Sequence, residues 1–463
     1  MSRIQSISPI DGSVYVERDC ATRADVHAAC TAARQAQPAW AATSIDERAR
    51  HCHAFVDAML ANSADIDVEL AWQMGRPVRY AGGELAGFEE RARHMIAIAA
   101  DALADVDPGD KPGFTRFIRR VPLGTVLTIA PWNFPFLTTV NSVVPALMAG
   151  NVSILKHASN TLRVGERFAE AFAAAGLPDG VFQHLVLDHE QVAALIGSST
   201  VNSVCFTGSV PAGRAVEQAA AGQFMSVGLE LGGKDPAYVR GDCDLTHAIE
   251  NLADGAFFNS GQSCCGIERV YVHASVHDAF VAGVSDAARE LVLGNPLDAT
   301  TSLGPLIKPA AADFVREQVN AAIKAGATAH VDPALFELER PGSAYLAPQV
   351  LSGVDHTMSV MCDESFGPLM GIIRVDDDEE AIRLMNDSAF GLTAAVWTAD
   401  VDAAIAIGDR LDCGTVFMNR CDYLDPALAW TGVKQTGRGV TLSALGYHAL
   451  TRPKSFHLRT RLS

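Results

Sequence analysis

From Thr125 onward, short apolar runs alternate with helical stretches of about a dozen residues, and this rhythm constrains the fold more than any other feature. Val126–Ala130 precedes a helix ending near Ala149-Gly150, Val152–Leu155 one reaching Gly176, and Phe182–Leu187 one ending near Gly197. Ser203–Phe206 leads to a helix closing at Ala221, and Met225–Leu229 follows. Strands separated by whole helices pair in parallel, so this part of the chain predicts an open doubly wound α/β sheet. Ligands on such sheets bind at the carboxyl ends of the strands. A second series predicts a second α/β domain: Ala237–Val239, a helix to Phe258, Arg269–His273, a helix from Ser275 to Val292, and further elements to about Phe417.

The flanking regions read differently. Residues 4–16 alternate around Asp11-Gly12, as a β-hairpin does. Thr22–Trp40 and Ser44–Leu60 read as helices, and Ser44-Ile45-Asp46-Glu47 has capping-box spacing. A third helix is expected over about Glu84–Leu103, with Gly82-Gly83 as the loop before it. Phe114–Val121 alternates and carries Arg116, Arg119 and Arg120, as a solvent-facing or subunit-bridging strand would. The tail, Arg452–Arg459, reads as an edge strand that pairs with Phe114–Val121 or with another chain.

Composition excludes several classes of function. The 463 residues are 49% apolar, enough for two or three cored domains, and 36 basic against 54 acidic residues leave a net charge of -18. That sign argues against nucleic acid or an anionic membrane as partner. The most apolar stretch, Val126–Leu155, is broken by Pro131, Asn133, Pro135 and Pro145, so no membrane span is expected. No signal-peptide core follows Met1. Ten cysteines without a C-x-x-C spacing read as reduced thiols of a cytoplasmic protein, with no metal site expected.

Two of those cysteines are adjacent. Phe257-Phe258-Asn259-Ser260-Gly261-Gln262-Ser263-Cys264-Cys265-Gly266 is a polar turn between a helical run, Leu245–Phe258, and a strand-like run, Arg269–Val272. A thiol at such a turn is accessible to a substrate, and a helix N-terminus following it would favour the thiolate. An ordinary buried thiol fits the segment equally well. Other polar groups gather at strand ends. Pro131-Trp132-Asn133-Phe134-Pro135 opens a helix, Lys156 ends a strand, and Phe206-Thr207-Gly208-Ser209 joins a strand to a helix start suited to a phosphate. A strict G-x-G-x-x-G is absent. Glu230, before Leu231-Gly232-Gly233-Lys234, is placed either as a general base between domains or as the partner of Lys234.

Together with Glu364-Ser365-Phe366-Gly367-Pro368, these motifs stand in the order and spacing of the aldehyde dehydrogenase superfamily, which the chain resembles over nearly its whole length. The resemblance implies a Rossmann-type cofactor domain (1–113 and 125–230), an α/β catalytic domain (231–435) and a small β oligomerisation element (114–124 and 440–463). It implies Cys264 as nucleophile, Glu230 as general base and Asn133 as oxyanion donor. Trp132, Lys156, Ser159, Gly208, Ser209, Glu364 and Phe366 would hold NAD or NADP. Attack of a thiolate on a carbonyl builds an alkoxide, which calls for donors fixed in advance: the Asn133 carboxamide and the Cys264 N–H. The expected activity is oxidation of an aldehyde to an acid through a cysteine thioester that water releases. A CoA-acylating enzyme is the alternative, and Glu230 argues against it. A non-catalytic protein on the same fold is a further alternative, against which Cys264, Glu230 and Asn133 all stand. A homodimer or homotetramer is implied.

Two departures from the family pattern bear on cofactor and substrate, beside a small one at Gly266, where Ala is usual. Where the family usually reads Lys-Pro-Ser-Glu, this chain has Lys156-His157-Ala158-Ser159. The carboxylate that repels a 2′-phosphate is therefore missing, and NAD and NADP are both compatible. Thr138 and Asn141 stand where larger apolar groups are common, and Arg420–Asp425 resembles the substrate-lining loop. With Ser263, Cys265 and Asp422 they describe a polar pocket, suited to a small functionalised aldehyde such as a semialdehyde.

Overall fold

The computed structural model describes residues 2–461. The first run folds as the expected hairpin: β1 (Arg3–Ile7) pairs antiparallel with β2 (Val14–Asp19) across a turn in which Gly12 takes φ +77°. Four helices follow, α1 (Arg23–Ala42), α2 (Ile45–Leu60), α3 (Ser63–Met74) and α4 (Val78–Ala102). Ser44 caps α2 by accepting the Glu47 N–H at 3.1 Å. The return half of the capping box is not made, because Arg50 takes the Glu47 carboxylate at 2.6 Å.

α4 starts earlier than the sequence pattern indicates. Gly82 and Gly83 lie inside it, not in a loop before it. Each interior glycine costs a helix about 1 kcal/mol relative to alanine. Burial of Leu85, Phe88, Ala92, Met95, Ile96 and Ala99 along one face of α4 outweighs that cost.

After β3 (Phe114–Pro122) the predicted alternation appears as β4 (Thr125–Ile129), α5 (Pro135–Met148), β5 (Val152–Lys156) and α6 (Leu162–Ala174). It continues through β6 (Phe182–His184), α7 (His189–Gly197), β7 (Ser203–Thr207), α8 (Val210–Ala220) and β8 (Ser226–Glu230). The sheet order is β8-β7-β4-β5-β6, all parallel, with a short antiparallel strand, Gly437–Arg438, on the β8 edge. Every residue of β4 and β5 is buried, as in strands covered on both faces. The chain leaves β4 towards β5 and returns on its other side as β7, so the crevice beyond β4 and β7 is a topological switch point.

The second sheet has seven strands. At its centre β9 (Asp235–Val239) and β10 (Ile267–His273) run parallel, joined by α9 (Leu245–Phe257). Leu369–Val375 lies beside β10 and Thr393–Trp397 beside β9.

The tail divides differently from the expected strand element at 440–463. Ser443–Ala449 is a helix, and the buried Leu442 and Tyr447 belong to the core under the first sheet. The Tyr447 hydroxyl donates to the Met95 carbonyl of α4. Among the described residues of that stretch, only Thr451–Arg459 forms a strand, paired antiparallel with the whole of β3, with Phe117 and Phe456 stacked at 4.5 Å between ring centres.

Candidate active site

Two cavities meet between the sheets. One, of about 470 Å³, runs along the carboxyl ends of β4, β5, β7 and β8. The other, of about 500 Å³, lies between α4, the start of α5 and the loop around Asp422. Cys264, Glu230 and Thr138 line both. The chain thus brings a thiol and a carboxylate to the one place where the two spaces open into each other.

The cysteine turn is held by its backbone. Asn259 and Ser260 take φ +53° and +56°, and Gly261 follows at +69°, three left-handed residues in a row. Such strain persists only where surrounding contacts over-determine it. Here the Asn259 amide donates to the carbonyls of Asn133 (3.2 Å) and Gln262 (3.1 Å), and Ser260 donates to Gly304 (2.8 Å). The Gln262 side chain accepts the Ile307 N–H at 2.8 Å. No helix follows Cys265; the chain enters β10 directly, so the helix N-terminus expected to favour the thiolate is not there. The Asn133 carboxamide donates to the Gln262 carbonyl at 3.2 Å, which fixes it against the same turn.

Glu230 does not pair with Lys234. Lys234 forms a buried ion pair with Glu268, whose carboxylate also accepts the N–H groups of Ser365 and Phe366, both at 2.9 Å. This anchors Phe366 at φ +53°, edge-on to Trp132 at 5.7 Å. Glu230 instead accepts the hydroxyls of Thr441 (2.5 Å) and Thr207 (3.1 Å). Burial raises its pKa above the ordinary carboxylate value, while the two hydroxyls pull it back down. A carboxyl in that state accepts a proton readily, as a general base requires.

Ser263, Cys265 and Asp422 lie on the second cavity beside Cys264. The Cys265 thiol donates to Asp422 at 2.9 Å, and Ser263 donates to it at 3.3 Å. The neighbouring Cys264 and burial push the Cys265 thiol far above its usual pKa, so Cys265 is held as the protonated partner. Burial moves Asp422 up to about 6. Asn141 is not with this group. It faces a separate cavity of about 80 Å³ behind Glu230, and neither polar atom of its side chain has a hydrogen-bond partner among the described residues. Thr138, one turn earlier, lines this small cavity and both of the larger ones, and its hydroxyl donates to the Phe134 carbonyl.

Several residues here carry no motif. Arg76, fully buried, forms an ion pair with Glu84 and donates to Asn259 and to the Asn133 carbonyl, tying α4 to the cysteine turn. Glu84 also accepts the N–H groups of Phe136 (2.8 Å) and Leu137 (3.0 Å) at the start of α5. Arg91 lines the second cavity and His189 the first. Glu84 and Arg91 carry one sequence signal, a charged residue inside an otherwise apolar helical face; Arg76, in the loop before α4, and His189, at the start of α7, carry none.

Residues 1–456 match the sequence model of the Aldehyde dehydrogenase family. The chain belongs to this family. A succinate-semialdehyde dehydrogenase [NADP(+)] of Mycolicibacterium paratuberculosis is 34% identical over 98% of this chain and 96% of its own length. A crystal structure of succinate-semialdehyde dehydrogenase from Burkholderia pseudomallei superposes with TM-score 0.94 at 29% identity, covering 99% of this chain and 95% of that one. An NAD-dependent aldehyde dehydrogenase from Sinorhizobium meliloti superposes equally well, TM-score 0.94, at 31% identity over 100% of this chain and 92% of that one.

The first cavity of this NAD(P)-dependent aldehyde dehydrogenase suits a dinucleotide. Lys156 ends β5, nearly buried, with no ion pair among the described residues. Gly208 packs under Phe206, where a Cβ would come within 2.7 Å of the ring. Ser209 sits at the N-cap of α8 but makes no side-chain capping bond, leaving hydroxyl and helix N-terminus free for a phosphate. Glu364 accepts the Gly233 N–H at 3.0 Å and is pushed up to about 8 by burial and by the nearby Glu268. Around Lys156, Ser159 and His189 no carboxylate lines the space; the acids of this cavity, Glu230 and Glu364, belong to its other end. His157 is turned inward, bonded to Thr161 and Ala158, with burial holding it down at about 3.

Proposed function

We propose that this aldehyde dehydrogenase converts a small carboxylated aldehyde into a dicarboxylic acid, with Cys264 as nucleophile and water as acyl acceptor. The observation that carries this reading is the position of Cys264 and Glu230 on both cavities at once. Bound in the first cavity, NAD or NADP supplies the hydride acceptor. Cys264 attacks the carbonyl from the second, and the Asn133 carboxamide with the Cys264 N–H stabilises the alkoxide as charge develops. Hydride loss leaves the acyl group on Cys264. Glu230 takes a proton from water, which then attacks the thioester and returns the thiolate. Trp132 and Phe366 bound the space where the two substrates meet, while Lys156, Ser159, Gly208, Ser209 and Glu364 hold the cofactor. The lack of a carboxylate beside Lys156 and Ser159 favours acceptance of a 2′-phosphate, and the mycobacterial relative is named for NADP. The substrate class is supported by the polar groups of the pocket and by relatives named for succinate semialdehyde. The pairing of β3 with Thr451–Arg459 supports a homodimer or homotetramer built through that ribbon, and ten free thiols suit a reducing cytoplasm.

The test is the appearance of reduced nicotinamide from purified protein on short, aromatic and carboxylated aldehydes, with each cofactor in parallel. Turnover on a carboxylated aldehyde, lost by a factor on the order of 10⁴ in Cys264→Ala, is the expected result. Absence of turnover on every aldehyde, with cofactor still bound, would sink the reading.

A further inference from the structure

Arg91 is a buried guanidinium that the chain leaves largely unpaired. Its Nη1 donates to the Leu137 carbonyl at 3.0 Å. It makes no ion pair, and its remaining nitrogens have no hydrogen-bond partner among the described residues, although the side chain is only 8% exposed. What exposure remains faces the cavity that contains Cys264. A buried cation is normally matched by a carboxylate. Of the acids on its own helix that line this cavity, Glu84 is already taken by Arg76 and by two backbone N–H groups of α5, and Glu90, exposed, accepts the Tyr423 hydroxyl at 2.6 Å. Glu230 is engaged by two threonines, and Asp422 by Ser263 and Cys265.

The helix is shaped to lead to this group. Gly83, Gly87 and Arg91 are spaced four residues apart and share one face of α4. Gly83 and Gly87 line the same cavity, and a Cβ at Gly83 would meet nothing within 4 Å. The missing side chain at Gly83 therefore opens space along this face, Leu137 packs against Gly87, and the face ends at an unmatched positive charge. The other arginine on this cavity, Arg76, is spent on Glu84, Asn259 and the Asn133 carbonyl. Leu137, Phe134, Phe258 and Leu424 supply apolar wall between.

We infer that Arg91 is the anion anchor of the substrate cavity, receiving the far carboxylate of an ω-carboxylated aldehyde while its carbonyl lies against Cys264. This rests on the semialdehyde reading above and names the residue that would enforce it. A guanidinium offers two parallel N–H donors to a carboxylate, and the only other one on this cavity among the described residues, Arg76, is already engaged. Asp422, beside Cys265 and Ser263, repels the same carboxylate, so the two charges orient the substrate with its aldehyde towards the thiol.

The experiment compares kcat/KM for succinate semialdehyde with that for butanal, the same chain length without the carboxylate, in the wild type, Arg91→Gln and Arg91→Lys. The wild type is expected to favour succinate semialdehyde. In Arg91→Gln the selectivity ratio is expected to fall on the order of 100-fold, chiefly through KM for the carboxylated substrate. Arg91→Lys, which keeps the charge and loses the fork, is expected to fall between. Should Arg91→Gln not fold, the lysine variant decides: a lowered ratio supports the anchor and an unchanged ratio overturns it. Loss on both aldehydes in equal proportion overturns it too, since that is what a tie to Leu137 or a general effect on the thiolate would produce. A wild type that favours butanal overturns the semialdehyde reading and the anchor with it. A wild type that favours the semialdehyde, with selectivity intact in both variants, overturns the anchor alone.

Discussion

Around the 470 Å³ cavity, Lys156, Gly208, Ser209 and Glu230 each stand at or just past the end of a strand of one sheet. Around the 500 Å³ cavity, the lining comes from α4, the start of α5, the cysteine turn and the loop at Asp422, which are far apart in the chain. The first is built from backbone ends, glycine and a helix start; the second from side chains that reach one another across long sequence separations. Strand ends are set by the sheet and change little with the identity of the residues around them. A wall of side chains changes with every substitution, which is where an enzyme family varies its substrates.

The comparison is most strongly tested where the two cavities share a residue. Glu230→Gln is expected to lower steady-state turnover by about 10² to 10³-fold while a first turnover of reduced nicotinamide survives, because only release of the acyl group needs the base. Burial raises the Glu230 pKa, and a general base works ionised. Acyl release in the wild type should therefore rise with pH through a midpoint above the usual carboxylate value, and that limb should vanish in the variant. Absence of a burst would mean that Glu230 serves both chemical steps.

A smaller effect should fall on the substrate side alone. Glu84→Gln leaves Arg76 buried and uncompensated, and is expected to destabilise the protein by about 3 kcal/mol, read as a lowered denaturant midpoint. A midpoint unchanged from the wild type would show that the α4 wall does not depend on this ion pair. On the cofactor side, Ser159→Glu restores a carboxylate near Lys156 and should shift the ratio of NADP to NAD turnover by about tenfold towards NAD. An unchanged ratio would place the 2′-hydroxyl elsewhere.

The same contrast explains what could be read from the sequence. The parallel series from β4 to β8, the opening hairpin and the strand character of β3 and Thr451–Arg459 follow from local periodicity; of the two pairings left open for the tail strand, the structure contains the one with β3. The cysteine turn is legible as a turn, but its dependence on Asn133 is not, since those two bonds span 126 and 129 residues of chain. Gly82-Gly83 reads as the loop before a helix because glycine is judged on local propensity, whereas its place in α4 follows from burial of the apolar face that continues past it. Asn141 is expected in the substrate pocket from the family resemblance alone; it shares the small cavity behind Glu230 with Thr138 but, unlike Thr138, does not reach the larger two. Arg76, Glu84 and Arg91 carry no motif, and only the folded helix shows which of them is matched.

The glycines of α4 make the substrate wall easy to remodel. At Gly83 a methyl group meets nothing within 4 Å, so alanine or serine there would shorten the space without moving the backbone. At Gly87 the added carbon would lie 2.5 Å from Leu137 Cδ2, so the same change would force the Leu137 side chain to swing aside. The helix therefore behaves as a ruler with one adjustable mark and one fixed mark, about 6 Å apart. Single-codon changes at position 83 offer the lineage a route to shorter aldehydes, while position 87 keeps the register of the wall.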